Sequence, residues 1–394
     1  MKRYLKKLKP KESEIYDAII IGAGPAGSTA ASVIAEYGNT LIIDKKKTIG
    51  IPNHCGEGIS QYVLDFLNLS KDKEWIVKEV KGGRLIFPNN TTIYFPQKGY
   101  CIDRTRFDQE LAEKAIKKGA RLLTEEEVMG AELREDTWNI YTRKGKKFKG
   151  RYLIAADGAS SIIRRIFKLP QKCINAIQYK FPPLNKFAED WLLFYHDEKF
   201  YPAYAWVFHR GIETSVGVGG FGNVKKLLDE FCKFLGISNL KPKSIHGGKI
   251  PFTKKPVKIT LPRLVFAGDA GGFLFPLTKG GILGALFSGR KAGEVVKEAI
   301  KEKNPEIIYS YPEKVKTFPS RDRLTLFLPH TFLSLTNEMI NAIGKVLDKE
   351  KYTKIPFFSV ARYLFKKPSL KIAYGFIIGF LVQRIYHYKK HFAW

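Results

Sequence analysis

The sequence predicts an α/β fold: a doubly wound, Rossmann-type nucleotide-binding domain, an inserted antiparallel β-rich substrate domain, and a helical C-terminal region. Three observations carry this. Residues 14–44 read as strand, glycine-rich turn, helix and strand. Further buried strands recur near residues 150 and 264. Between them, residues 173–222 alternate in polarity and are rich in aromatics. The implied division is a basic arm at 1–13, a discontinuous nucleotide-binding domain at 14–80, 101–170 and 257–303, a β-rich domain at 81–100 and 171–256, and a helical, basic region at 304–394.

The elements follow in order. Ile15–Ile21 is nearly continuous in apolar residues, as a parallel strand buried on both faces must be. The turn Gly22–Gly27 follows without a gap, and small and apolar residues at helical spacing predict a helix over Ser28–Tyr37. Gly38 and Asn39 end it, and Thr40–Asp44 is the second strand. Residues 104–119 predict an amphipathic helix closed by Gly119, with a short strand at Ala120–Leu123. Glu132–Tyr141 and Phe148–Ala155 read as antiparallel strands. Asn223–Leu235 is a helix with an asparagine N-cap, 262–267 a buried strand, and Gly281–Lys303 a long helix.

Composition narrows the function. A length of 394 residues suggests two or three domains at roughly 100–200 residues each, and a hydrophobic fraction of 44% excludes wholesale disorder. The four cysteines (55, 101, 173, 232) are too sparse for a disulfide scaffold and match no zinc spacing, so a reducing compartment and no metal are expected. The basic first twelve residues lead into no apolar segment, so no secretory signal is expected. No run approaches the roughly 18 apolar residues of a membrane-spanning helix. The expectation is a cytoplasmic protein, peripheral on the inner face of the membrane. The net charge of +29 admits nucleic acid, anionic lipid or an anionic substrate. No zinc finger, helix-turn-helix or RNP1 pattern is present, so nucleic acid is not expected. Residues 349–394 hold ten Lys/Arg against one acid, around the apolar, aromatic segments 355–365 and 372–382. That pattern suits a membrane surface, at about 1 kcal/mol per basic residue near anionic lipid. The bland alternative is a pair of core helices with a solvated basic face.

The chemistry-bearing motifs sit at strand ends. In Gly22-x-Gly24-x-x-Gly27 the first glycine makes the turn, the second admits a pyrophosphate and the third lets helix pack on strand. Asp44, at the end of the next strand, is placed to accept both ribose hydroxyls of an adenosine. A second pattern, Gly217-x-Gly219-x-x-Gly222, has no acid about 20 positions on and reads as close packing near a ligand. Cys55 lies in the small-residue loop Pro52–Gly58, either beside a flat ligand or as an inert buried thiol. Asp157-Gly158 and Gly268-Asp269 follow strands, and Gly280-Gly281 opens the long helix. Alone, each is equally a turn that caps a helix.

Taken together, Gly22–Gly27 with Asp44, Cys55–Gly58, Arg104–Asp108, Asp157-Gly158 and Gly268–Ile282 resemble the FAD-dependent geranylgeranyl reductase family, within the flavoproteins of the para-hydroxybenzoate hydroxylase fold. The Cys55-Gly-Glu-Gly58 loop is similar to that of archaeal reductases that saturate the geranylgeranyl chains of ether phospholipids. The resemblance implies FAD. Gly22, Gly24, Ala26, Gly27 and Asp44 would hold its adenosine half, and Cys55, Gly56 and Gly58 would lie along the isoalloxazine. Arg104 would reach the diphosphate or ribose, Val128 the adenine, and Asp269 the ribityl or diphosphate. Asp157 and Gly158 would support the site, while Gly280, Gly281 and Ile282 approach the ring through backbone. Tyr204, Trp206 and Phe208 match the family's substrate segment, with His209 where the family has proline. The implied reaction joins hydride from reduced FAD to protonation of an alkene, with Cys55 favoured as the acid over His54 and Tyr204. The implied partners are a prenyl lipid substrate, a membrane surface, and either NAD(P)H or an electron-donor protein such as reduced ferredoxin. Alternatives within the superfamily are a monooxygenase or halogenase and a menaquinone side-chain reductase.

Overall fold

The computed structural model describes residues 10–348. Most of the basic arm and the apolar segments 355–365 and 372–382 lie outside the described residues. Two eight-stranded sheets organise the chain. The first has a parallel centre in the order Leu264–Phe266, Lys147–Ala155, Ile15–Ile21, Thr40–Ile43, Arg121–Leu123. Its central strands are nearly continuous in buried apolar residues, as strands covered on both faces are.

The helix after the glycine turn begins at Pro25 and ends at Ile34, earlier at both ends than its spacing predicts. Proline has no N–H to lose and a φ already suited to the first helical position, so the helix starts inside the motif. Its partner is the long helix Ile282–Lys301. A Cβ on Gly289 would lie 2.3 Å from the Ala26 carbonyl oxygen, and one on Gly293 would lie 2.8 Å from that of Ala30. These glycines let the two helices pack backbone on backbone. That contact helps bring Gly281, at the head of the long helix, to the same cavity as Gly24.

The second sheet runs in the order Ser244–Pro251, Cys173–Phe181, Thr214–Gly220, Ala205–His209, Trp191–Tyr195, Ile76–Ile86, Thr92–Ile102, Gly58–Ser60. Every pairing is antiparallel except Trp191–Tyr195 with Ile76–Ile86. Helix Val224–Phe234, capped by Asn223, buries Leu228, Phe231 and Cys232 against one face. The helices Arg323–Thr331 and Asn337–Asp348 close one end, where Leu328, Leu335 and Ile340 pack with Phe87 and Ile93.

Two differences from the sequence reading are local. Glu132–Tyr141 is not one strand but parts of a hairpin, Val128–Arg134 and Thr137–Thr142, which turns at Glu135 with φ +52°. Gly58–Ser60 and the start of Ile76–Ile86 already belong to the second sheet, ahead of residue 81. Among the described residues, no helix is long and apolar enough to cross a membrane.

Candidate active site

The three glycines of the first turn serve three distinct purposes. Gly22 has φ +99°, and a Cβ there would lie 2.4 Å from the Ala156 oxygen. A Cβ on Gly27 would sit 1.9 Å from the Gly22 oxygen. A Cβ on Gly24 would meet nothing within 4 Å, because Gly24 opens onto a cavity. Asp44 lies against this turn, accepting the Ala23 N–H at 2.7 Å and the Lys46 N–H at 2.7 Å. A diphosphate fits the open glycine, and a ribose fits the free lone pairs of Asp44.

The cavity has a volume of about 1190 Å³, larger than the roughly 300–1,000 Å³ of a usual small-molecule pocket, so it has room for two ligands. It gathers Gly24, Ala26, Cys55, Gly56, Gly58, Arg104, Gly158, Asp269, Gly280, Gly281 and Ile282 with Tyr204, Trp206 and Phe208. Gly22, Gly27, Asp44 and Asp157 stand behind its wall. Val128 is buried in the core of the first sheet and does not line the cavity. Asp157 caps a short helix: its Oδ2 accepts the Ile162 and Ile163 N–H groups at 2.7 and 3.2 Å, and burial raises its pKa. Asp269 faces the cavity, and burial pushes its pKa up to about 6, against the pull of Arg104.

Arg104 lines the cavity and is held from behind by an acid on its own helix. Its Nε and Nη2 donate to Asp108 at 3.0 and 3.0 Å, and its side chain also bonds Cys55. Burial opposes its charge, but Asp108 and then Cys55 outweigh that and hold its pKa above the ordinary value. The guanidinium is therefore a fixed cation beside the Cys55 loop, with part of its donor fork already committed.

The loop is anchored by a residue the sequence reading passed over. Glu57 is buried with φ +66°. Its Oε2 pairs with Lys180 Nζ at 2.5 Å and Arg210 Nη1 at 2.5 Å, and its Oε1 accepts from Asn53 at 2.5 Å and the Arg104 N–H at 3.1 Å. Glu213 also pairs with Lys180, at 2.9 Å, and with Arg210. Gln178 Nε2 donates to the Cys55 oxygen at 2.8 Å, and the Glu57 N–H donates to Cys55 Sγ at 3.2 Å. The only advance signal was charge at inward-facing positions of predicted strands.

Beyond the loop the cavity turns apolar. Phe194 meets Tyr204 and Phe208 edge-on, with centroids 5.1 and 5.2 Å apart. Gly56 lies so close that a Cβ would be 2.9 Å from the Phe208 ring. Gly217 makes room for Trp206, whose ring would lie 2.2 Å from a Cβ there, so in the second glycine pattern this residue serves packing within a strand. Tyr204 donates to the Thr278 carbonyl at 2.5 Å, and burial followed by Cys55 raises its pKa. Leu85, Phe87, Ile93, Leu277, Phe332, Leu335 and Ile340 extend the lining into the C-terminal helices. His196 also faces this arm, and burial pushes its pKa down to about 4, so it is neutral there.

Comparison with known proteins agrees with this geometry. The family model described as FAD binding domain matches residues 15–198. The digeranylgeranylglycerophospholipid reductase of Thermoplasma volcanium is 30% identical, over 90% of this chain and 97% of that protein. The chain belongs to the digeranylgeranylglycerophospholipid reductase family. Reductase 2 of this family from Methanopyrus kandleri is likewise 30% identical, over 90% of this chain and 97% of its own length. A geranylgeranyl bacteriochlorophyll reductase-like protein from Thermoplasma acidophilum superposes with a TM-score of 0.79 at 27% identity, covering 93% of this chain and 99% of that one. The halogenase PltM with FAD, at 14% identity and a TM-score of 0.64, shares the fold alone. As a member of this reductase family with an FAD-binding domain, the chain is an FAD-dependent oxidoreductase.

Proposed function

We propose that this chain saturates the isoprenoid double bonds of geranylgeranyl chains, on archaeal-type ether phospholipids or prenyl diphosphates. The observation that carries the reading is the continuity of one cavity from the open glycine Gly24 and the helix head at Gly281 to an aromatic, apolar arm. Bound FAD supplies hydride when reduced. Gly24 and Asp44 would hold its diphosphate and ribose, and Gly280, Gly281 and Ile282 would hold its ring end through backbone.

An isolated trisubstituted alkene is a poor electrophile, so the protein has to supply a proton, exclude water and tolerate a developing cation. Phe87, Phe194, Leu335 and Ile340 exclude water along the chain. The faces of Phe194, Trp206 and Phe208 stabilise positive charge on the tertiary carbon. The proton passes from Cys55 Sγ to the less substituted carbon. The Tyr204 hydroxyl is committed to the Thr278 carbonyl and its pKa is raised, while burial followed by Lys46 lowers that of His54. The Glu57 N–H at Sγ supports the negative charge left behind, until solvent reprotonates the sulfur.

Electrons come from NAD(P)H or reduced ferredoxin, and residues 349–394 hold the protein at a membrane surface. The test is anaerobic incubation of dithionite-reduced holoenzyme with geranylgeranyl diphosphate and with unsaturated ether phospholipid, followed by mass spectrometry. Gain of hydrogen on the chain is expected. No gain on either overturns the reading, and a strict requirement for oxygen points to oxygenation instead.

A further inference from the structure

One corner of the cavity carries positive charge that the mechanism does not use. Lys279 lines the cavity with φ +61°, a backbone state that a side chain adopts only at a cost. Its Nζ donates to the Pro276 carbonyl and lies 5.1 Å from the centroid of Phe252. No carboxylate compensates it among the described residues: burial alone acts on the amine and pushes its pKa down to about 7. His330 stacks on the same Phe252, with centroids 3.9 Å apart, and its Nε2 is buried without a partner. Lys254, Lys279 and Lys172 all press on that imidazole electrostatically. Lys249, exposed on the strand Ser244–Pro251, lines the same cavity. A strained lysine with no carboxylate partner among the described residues, beside a histidine whose Nε2 has no partner, is left without a counter-charge in the folded chain. A buried cation of this kind marks a place where an anion binds.

The corner adjoins the apolar arm through two segments. Leu277 and Lys279 both line the cavity, and Phe332, two residues beyond His330, belongs to the lining of the apolar arm.

We infer that Lys279, His330 and Lys249 form an anion subsite that takes the phosphate or diphosphate head of the prenyl substrate while its tail lies in the aromatic arm. This deepens the proposed function and rests on it for the identity of the tail. Phosphate oxygens would accept from the Lys279 ammonium and from His330 Nε2, replacing the Pro276 carbonyl and the missing partner.

The experiment is calorimetric binding to the oxidised FAD holoenzyme, with geranylgeranyl diphosphate, geranylgeraniol and inorganic diphosphate as probes. The wild type is expected to bind the diphosphate ester more tightly than the alcohol, and inorganic diphosphate is expected to compete with the ester. Lys279→Gly suits the left-handed backbone and removes the amine together with its methylene stem. It should weaken the ester about 10- to 100-fold and leave the alcohol and the FAD content unchanged. Lys249→Met, at an exposed position, should weaken the ester alone in the same direction, by less. Equal affinity for ester and alcohol in the wild type, or an unchanged ester affinity in Lys279→Gly, overturns the subsite while leaving the reductase reading intact. Inorganic diphosphate binding that Lys279→Gly abolishes, in a protein that binds neither prenyl compound, upholds the subsite and overturns the reductase reading.

Discussion

Replacing Glu57 by glutamine keeps the side-chain volume and removes one buried negative charge. Its carbonyl still accepts from Asn53 and the Arg104 N–H, but Lys180 and Arg210 lose the charge 2.5 Å away from each. Breaking a buried pair by removing one partner costs about 3–5 kcal/mol. Glu213 still pairs with both cations, which places Glu57→Gln at the lower end, about 3 kcal/mol. Glu57→Gly separates charge from strain. It relieves the left-handed backbone, a gain of about 1–2 kcal/mol, yet still loses the pair, so it should also be less stable than wild type. Because the same carboxylate fixes the Cys55 loop, both variants should release FAD more readily. Chemical denaturation followed by fluorescence, with flavin retention after gel filtration, reads both effects. Wild-type denaturation and flavin retention in Glu57→Gln would refute the view that this carboxylate holds the loop.

Three further outcomes are expected. Gly24→Ala should fold normally and bind FAD more weakly, whereas Gly27→Ala, whose Cβ would meet the Gly22 oxygen at 1.9 Å, should destabilise the apoprotein by about 1–3 kcal/mol; thermal melts with and without FAD distinguish them. Asp269 has a folded pKa of about 6 against an ordinary 3.8, so its ionisation costs apoprotein stability progressively as pH rises through that window, up to about 3 kcal/mol above it. Asp269→Asn should then match wild type near pH 4, exceed it in apoprotein stability near pH 7, and bind FAD less well, which urea titrations at the two pH values check. Cys55→Ala should keep its FAD and lose about 100-fold or more in single-turnover saturation of the alkene, measured by rapid quench.

Much of the fold was legible because it is written in local pattern. The apolar run Ile15–Ile21, the glycine turn and Asp44 lie within thirty residues of one another, and the structure assembles them as read. The helix start at Pro25 was legible too, had proline at the first helical position been weighed above the run of small residues after it. The Glu135 turn was missed because a left-handed glutamate carries no turn signature. Cys55 stood out by its neighbours, but Glu57 did not. Its partners arrive from far along the chain, Lys180 from the strand Cys173–Phe181 and Arg210 from just beyond Ala205–His209, and only tertiary structure makes an inward charge a staple. The Arg104–Asp108 pair was legible as an i,i+4 spacing on one helix face, but the bond from Arg104 to Cys55 needed the tertiary structure. The far end of the tunnel was hidden for the same reason as Glu57: Phe332, Leu335 and Ile340 reach it from helices that carry no motif.

The central claim is that one cavity sets reduced flavin against a prenyl tail. Its most direct measurement is stopped-flow absorbance of the dithionite-reduced holoenzyme, freed of excess reductant and mixed without oxygen with a geranylgeranyl lipid or its fully saturated counterpart. The oxidised-flavin band should return with the unsaturated lipid, in proportion to the double bonds consumed, and stay absent with the saturated one. A band that appears with neither lipid, and returns only when air is admitted, would contradict the account.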